Sequence, residues 1–167
     1  LQDLVVGNQV LAKNGRYQTV YSFAHRDASQ GAVFLQIYTN QNDYTKPLEM
    51  TQDHLVYRFD QRYPVRASSI QIGDRLVGHH DTEQPVTVTH IEKVYKRGVY
   101  APMTVDGAVV VNGVLASSYI SLQNNTPEDQ VQLQGGRISL FGVSQHDFVH
   151  AALSPVRMVC LGIAPQI

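Results

Sequence analysis

Apolar and polar residues alternate along much of residues 1–121, a pattern that predicts half-buried β-strands. The clearest alternating or apolar runs lie at residues 32–39, 85–91 and 108–111. The chain also carries turn dipeptides that tolerate positive φ, namely Asn14-Gly15, Asp106-Gly107 and Asn112-Gly113. Since no helical periodicity interrupts this pattern, we predict an all-β fold of many short strands.

An internal repeat divides this β region. Residues 70–76 repeat the order of apolar residues, glycine and polar residues at residues 4–10, and we predict both segments as strands. The same offset places Val20 on Val86 and the segment beginning at Leu48 on the segment beginning at Val114. Such self-similarity indicates an internal duplication, so we predict a pseudo-two-fold arrangement of two related halves.

A polar unit, Thr51-Gln52-Asp53-His54, lies between apolar residues at the corner of a predicted strand–turn–strand segment at residues 48–57. Thr51 and His54 supply a hydroxyl and an imidazole, two groups that handle protons, and catalytic groups often lie at such corners. In the ordinary structural interpretation, Thr51 caps the turn and His54 is a half-buried histidine. The residues by themselves leave both interpretations open.

Composition and charge exclude several function classes. The formal net charge is −1 and Lys and Arg form no cluster, so we expect no nucleic-acid partner. No apolar stretch approaches the roughly 20 residues of a membrane-spanning helix. The single cysteine, Cys160, lies in an apolar run and is expected to be a small buried hydrophobe, without a disulfide in this chain. The chain starts at Leu1 without a signal-like segment, and we expect that it was cut from a longer one.

The composition changes after the β region. Residues 122–136 are polar and aperiodic, which predicts a linker. Residues 137–167 are predicted as a separate small appendage, with a short helix at residues 144–153 followed by an apolar tail. His146 and His150 have a spacing that can bind zinc, but no third ligand stands near them. Surface histidines are the preferred interpretation, and we expect no metal site.

Three stretches of the chain share the pattern of a known family. They are residues 3–11, the unit from Thr51 to Val56, and the block from Gly98 to Tyr119. Together they resemble the hedgehog autoprocessing domain, which has the Hint fold that is shared with inteins. The resemblance covers residues 1–121, and the appendage resembles the sterol-recognition region that follows the fold in hedgehog-type proteins. Hint domains consist of two related halves, which agrees with the internal repeat.

The chain departs from the family pattern at three places. The nucleophilic cysteine that begins a Hint domain is expected upstream of Leu1, outside this chain. His25 precedes Arg26 where the hedgehog pattern has Asp, and Ser118 stands where the pattern has its second cysteine.

The resemblance implies a self-cleaving enzyme. An upstream cysteine would break its preceding peptide bond by an N-to-S acyl shift, and a hydroxyl compound would then displace the thiol from the thioester. His54 would protonate the leaving nitrogen, and Thr51 would donate a hydrogen bond to the same group. His25 would activate the incoming hydroxyl in place of the family's Asp. The structural alternative, a histidine that ends a strand beside Asp27, stays open.

The same resemblance implies the partners. The substrate would be the protein's own upstream polypeptide, the acceptor would be a sterol, another hydroxyl compound or water, and no cofactor would be needed. It also implies a location in the secretory pathway or outside the cell, and we expect a monomer. Intein splicing needs a terminal His-Asn pair that residues 115–120 lack, so we expect no ligation. The alternative from another class is a degenerate Hint module that only binds a lipid or a partner.

Overall fold

Strands make up nearly all the regular structure in a computed structural model of the chain, which describes residues 1–41, 46–78 and 85–120. Within these ranges there are ten strands, two short 3₁₀ turns and no α-helix, so the all-β prediction is confirmed. The strands are β1 (Gln9–Leu11), β2 (Tyr17–Thr19), β3 (Ser22–Thr39), β4 (Leu48–Thr51), β5 (His54–Val56), β6 (Val65–Arg66), β7 (Arg75–Val77), β8 (Pro85–Met103), β9 (Ala108–Val111) and β10 (Val114–Ile120). The predicted linker and appendage, with His146, His150 and Cys160, lie outside the described residues.

The strands form three antiparallel sheets. One is the hairpin of β1 and β2, the second has the order β6-β5-β10-β9, and the third has the order β4-β3-β8-β7. The strands are not all short, because β3 has 18 residues and β8 has 19. These two strands pair with each other from Ser22–Met103 to Thr39–Val88, with three irregularities in register.

The main hydrophobic core joins the two four-stranded sheets. Its fully buried members include Ile37 of β3, Leu48 of β4, Val56 of β5 and Val114 of β10. Ile37 and Leu48 alternate with more exposed neighbours along their strands, so one face of β3 and β4 supplies this core. The packing of both sheets on one core fixes the positions of β4, β5 and β10, the strands that carry the candidate site.

Two of the predicted turns have the expected backbone geometry. Asn112 and Gly113 have φ values of 48° and 80° and connect β9 to β10, where Val111 pairs with Val114. Positive φ at both central residues is the geometry of a two-residue hairpin whose twist matches its strands. Gly107 also has a positive φ of 65°, and its N–H donates to the carbonyl of Thr104 at 3.0 Å.

The two halves of the repeat open with the same turn. Gly7 and Gly73 have φ values of 95° and 93°. The next residue in each half, Asn8 or Asp74, accepts a side-chain hydrogen bond from the backbone N–H three residues before it, at 3.0 and 2.9 Å. A shared glycine conformation closed by a shared side-chain bond supports the predicted duplication, at the offset read from the sequence.

The same turns correct two details of the prediction. Residues 4–8 in the first half and residues 70–74 in the second are not strand. In each segment the side-chain oxygen of Asn8 or Asp74 accepts a hydrogen bond from a backbone N–H that a neighbouring strand would otherwise use. Val20 also corresponds to Val88 and not to Val86. Val20 N–H donates to the carbonyl of Asn8 at 2.8 Å, and Val88 N–H makes the equivalent bond to Asp74 at 2.9 Å.

Candidate functional site

Thr51 and His54 lie at the corner between two strands, as their spacing predicts. Thr51 ends β4, His54 begins β5, and the two residues between them form the turn. Met50 and Leu55, their neighbours on the outer side of the corner, are buried in the protein at 4% and 7% exposure. Thr51 and His54 are themselves half-buried, so the corner holds both side chains at the edge of the packed interior.

Thr51 and His54 contact each other directly. Thr51 Oγ1 and His54 Nδ1 are 3.0 Å apart, a hydrogen bond whose direction depends on which ring nitrogen of His54 carries the proton. Burial lowers the pKa of His54 below its ordinary value of 6.5, and the neighbouring carboxylate of Asp53 opposes that shift in part. The imidazole is therefore neutral at pH 7, with one nitrogen held by Thr51 and the other available.

This pair opens into a pocket between the strands of both four-stranded sheets. Thr51 and His54 share its wall with mostly apolar side chains, including Phe34, Met50, Tyr100, Pro102 and Val109. Leu1, the first residue of the chain, also lines the pocket. A few polar groups in apolar surroundings are typical of sites that orient and polarise a bound group.

His25 lies beside this pocket and does not line it. His25 pairs with Ala101 of β8, and Ala101 is one of the lining residues. Its neighbours in the register, Phe23 and Arg26, pair with Pro102 and Tyr100, which also line the pocket, so this stretch of β3 runs beside the pocket wall formed by β8. The Nε2 atom of His25 is buried and has no hydrogen-bond partner among the described residues. A buried nitrogen without a partner is unusual in a structural histidine.

The surroundings of His25 differ from the structural alternative suggested by the sequence. His25 lies inside β3 and does not end a strand. The carboxylate of Asp27 is engaged by Ser29 and Gln30, since its Oδ1 accepts bonds from the Ser29 hydroxyl at 2.7 Å and from two backbone N–H groups. These bonds, the Ser29 hydroxyl first, lower the pKa of Asp27. Asp27 therefore serves a local turn.

Ser118 is a pocket residue that the sequence marked only as a departure from the family pattern. It is 3% exposed, it lines the pocket with Thr51 and His54, and its Oγ has no hydrogen-bond partner among the described residues. The family pattern has a cysteine at this position. The presence of Ser118 in place of that cysteine was the only feature of the sequence that pointed to this residue.

No group of three or more His, Cys, Asp or Glu side chains within the described ranges could hold a metal ion. Across the same residues, no helix has the length and apolar character needed to span a bilayer.

The fold and the repeated turns together define a class, the β-modules built from two related halves. A family profile described as the Hint module matches residues 1–135, and the chain belongs to this family. The chain is 31% identical over 136 residues to Protein hedgehog of Drosophila virilis, an alignment covering 75% of this chain and 28% of that protein. It is 33% identical over 135 residues to Warthog protein 1 of Caenorhabditis elegans, covering 75% of this chain and 27% of that protein.

These figures mean that the chain spans less than a third of the length of those two relatives. Among solved structures, the gp41-1 intein matches with a TM-score of 0.57 at 17% identity, covering 69% of this chain and 83% of the intein. An intein-like domain from Clostridium thermocellum matches with a TM-score of 0.50 at 18% identity, covering 70% and 85%. At such identities the likeness concerns the fold, and it confirms the predicted Hint architecture.

Proposed function

We propose that this chain carries the proton-handling groups of an autoprocessing domain that cleaves the protein's own upstream polypeptide. The observation that carries the proposal is the hydrogen-bonded pair of Thr51 and His54 in an apolar pocket of a Hint fold. Its relationship to hedgehog proteins and to inteins is consistent with self-processing.

In the first step, a cysteine upstream of Leu1 attacks the carbonyl carbon of the residue before it. We assign the His54 tautomer in which Nδ1–H donates to Thr51 Oγ1, because this leaves Nε2 free to accept the thiol proton. The new C–S bond forms, the carbonyl electron pair moves to oxygen, and the C–N bond then breaks. His54 Nε2 returns the proton to the leaving nitrogen, and the products are a thioester and a free amine.

The pocket favours this proton transfer in two ways. The lowered pKa of His54 keeps the ring neutral at pH 7, so that Nε2 starts as a base. With its oxygen accepting from Nδ1–H, Thr51 retains its own hydroxyl hydrogen and can donate it to the scissile group. Thr51 therefore orients the histidine and polarises the bond at the same time.

In the second step, a hydroxyl compound displaces the thiol. We assign His25 Nε2 as the base that takes the hydroxyl proton, while the C–O bond forms and the C–S bond breaks to release the thiolate. The buried, unpartnered Nε2 beside the pocket supports this assignment. The acceptor is a sterol, another alcohol or water, and a sterol acceptor would act together with the appendage at residues 137–167. Secretory or extracellular location and a monomeric state are part of the same proposal.

The test uses the full-length protein that contains this chain and its upstream segment. Incubation with dithiothreitol should produce two fragments on a gel, because the external thiol captures the thioester. His54→Ala should abolish this cleavage, whereas His25→Ala should leave it intact and impair only ester formation with the hydroxyl acceptor. His90→Ala is the matched control, since His90 is exposed on β8 and packs on Tyr38 at a ring-centroid distance of 5.5 Å.

Each outcome decides between alternatives. A full-length protein that stays whole with both dithiothreitol and hydroxylamine would overturn the autoprocessing proposal and favour a module that only binds a lipid or a partner. Equal loss of both activities in the His25 and His54 variants would overturn the role assigned to His25.

A further inference from the structure

Strand β10 contains a β-bulge between Ala116 and Ile120, opposite Leu55 of β5 and next to the pair that includes His54. Ala116 pairs with Val56 and Ile120 pairs with His54, so that four steps along β10 match two steps along β5. The extra residues of the bulge are in the segment that holds Ser117 and Ser118. Bulges commonly occur next to active sites, where they change the direction of a side chain. This bulge brings Ser118 to the wall of the pocket that Thr51 and His54 share.

The two serines of the bulge have opposite hydrogen-bonding states. Ser117 Oγ accepts a bond from Tyr119 N–H at 3.1 Å and donates to the carbonyl of Gly107 at 3.4 Å. Ser118 is held only through its backbone, whose N–H donates to the same carbonyl at 2.9 Å. Its hydroxyl is buried with no partner in the described part of the chain. The hydroxyl of Ser117 stabilises the bulge, and that of Ser118 is left for another group.

Burying a hydroxyl without a partner is unfavourable, because the group loses its hydrogen bonds to water and gains none in the protein. Native proteins leave few such groups, and those that they leave often serve a ligand or a reacting group. Ser118 meets both structural conditions for such a role, since it is 3% exposed and lines the pocket of the proton-handling pair. The apolar surroundings strengthen a hydrogen bond to any charge that develops there.

We infer that the Ser118 hydroxyl donates a hydrogen bond to the carbonyl oxygen of the scissile peptide bond, a catalytic role that rests on the proposed function. The electron pair moves onto this oxygen when the thiol adds to the carbonyl carbon, and it returns when the C–N bond breaks. The same oxygen is present when a hydroxyl compound attacks the thioester. A donor at this place therefore stabilises both steps, whereas His25 serves only the second.

The experiment compares Ser118→Ala with Thr104→Val in the full-length protein. Ser118→Ala should slow dithiothreitol-dependent cleavage by about 100-fold, the typical loss for one donor to a developing oxyanion. Ester formation with the hydroxyl acceptor should fall by a similar factor. The thermal unfolding midpoint of Ser118→Ala should not fall, because its hydroxyl has no partner in the described protein to lose. Thr104→Val should show the reverse, a lower midpoint with a cleavage rate close to that of the wild type, because the buried Thr104 hydroxyl donates to the carbonyl of Ala108 at 2.7 Å and does not line the pocket.

The controls separate this inference from the proposed function. If the wild-type protein cleaves and Ser118→Ala cleaves within about threefold of its rate, far from the loss expected for an oxyanion donor, the inference is overturned and autoprocessing stands. If Ser118→Ala is slow but also unfolds at a lower temperature than the wild type, the hydroxyl is structural and the inference fails. If the wild-type protein does not cleave, both proposals fall together.

Discussion

Replacing Thr51 with valine tests the central pair of the site. Thr51→Val keeps the shape of a β-branched side chain, which the end of strand β4 favours, and removes only the hydroxyl. The change deletes the 3.0 Å bond to His54 Nδ1 and the proposed donor to the scissile group. The ring of His54 then has no partner that fixes its tautomer, and the form with the proton on Nε2 is unable to accept the thiol proton.

The size of the effect follows from the burial of His54. Leaving a buried ring N–H without its acceptor costs about 1–3 kcal/mol. If that cost is paid in the transition state, where the tautomer must be correct, a tenfold loss for each 1.36 kcal/mol gives a rate that is lower by about 5- to 150-fold. We therefore expect dithiothreitol-dependent cleavage to slow within this range.

Thr104→Val is the matched control. Thr104 is fully buried, and its hydroxyl donates to the carbonyl of Ala108 at 2.7 Å and accepts from Ala108 N–H at 3.2 Å, away from the pocket. Cleavage is followed on gels and stability by chemical denaturation. We expect Thr104→Val to lose stability without a matching loss of rate, and Thr51→Val to lose rate out of proportion to stability. Equal rates for Thr51→Val and the wild type would refute the role assigned to this pair.

Two further predictions concern the backbone and pH. Gly98→Ala and Gly73→Ala should each destabilise the fold by about 1–2 kcal/mol in denaturation, because both glycines have φ near +95°. Only Gly98→Ala should also slow cleavage, since its Cβ would lie 2.8 Å from the ring of Tyr100, which lines the pocket. Equal cleavage rates for the two variants would contradict this expectation. Burial lowers the pKa of His54, so the unfolded chain binds that proton more readily, and the free energy of unfolding should fall as pH drops below about 6.5. Denaturation across this pH range should show a smaller fall in the free energy of unfolding for His54→Asn than for the wild type. An identical fall would show that His54 does not contribute to the pH dependence of stability.

The sequence by itself determined the fold class and the centre of the site. Alternating apolar residues and glycine turns act over a few neighbouring residues, so they could be read without knowing the tertiary structure. The Asn112-Gly113 hairpin is one example, because positive φ at both residues is a local preference. Thr51 and His54 were predictable for the same reason, since a single turn between β4 and β5 brings them together.

The tertiary structure decided the places where distant segments meet. His25 reaches the side of the pocket because long strands β3 and β8 pair it with Ala101, a register that no local pattern specifies. Ser118 reaches the pocket through the bulge in β10 between Ala116 and Ile120. The burial that leaves its hydroxyl without a partner in the described protein comes from strands far apart in the chain. Pairing register and burial depend on contacts between residues remote in sequence, and these exist only once both sheets have packed on their shared core.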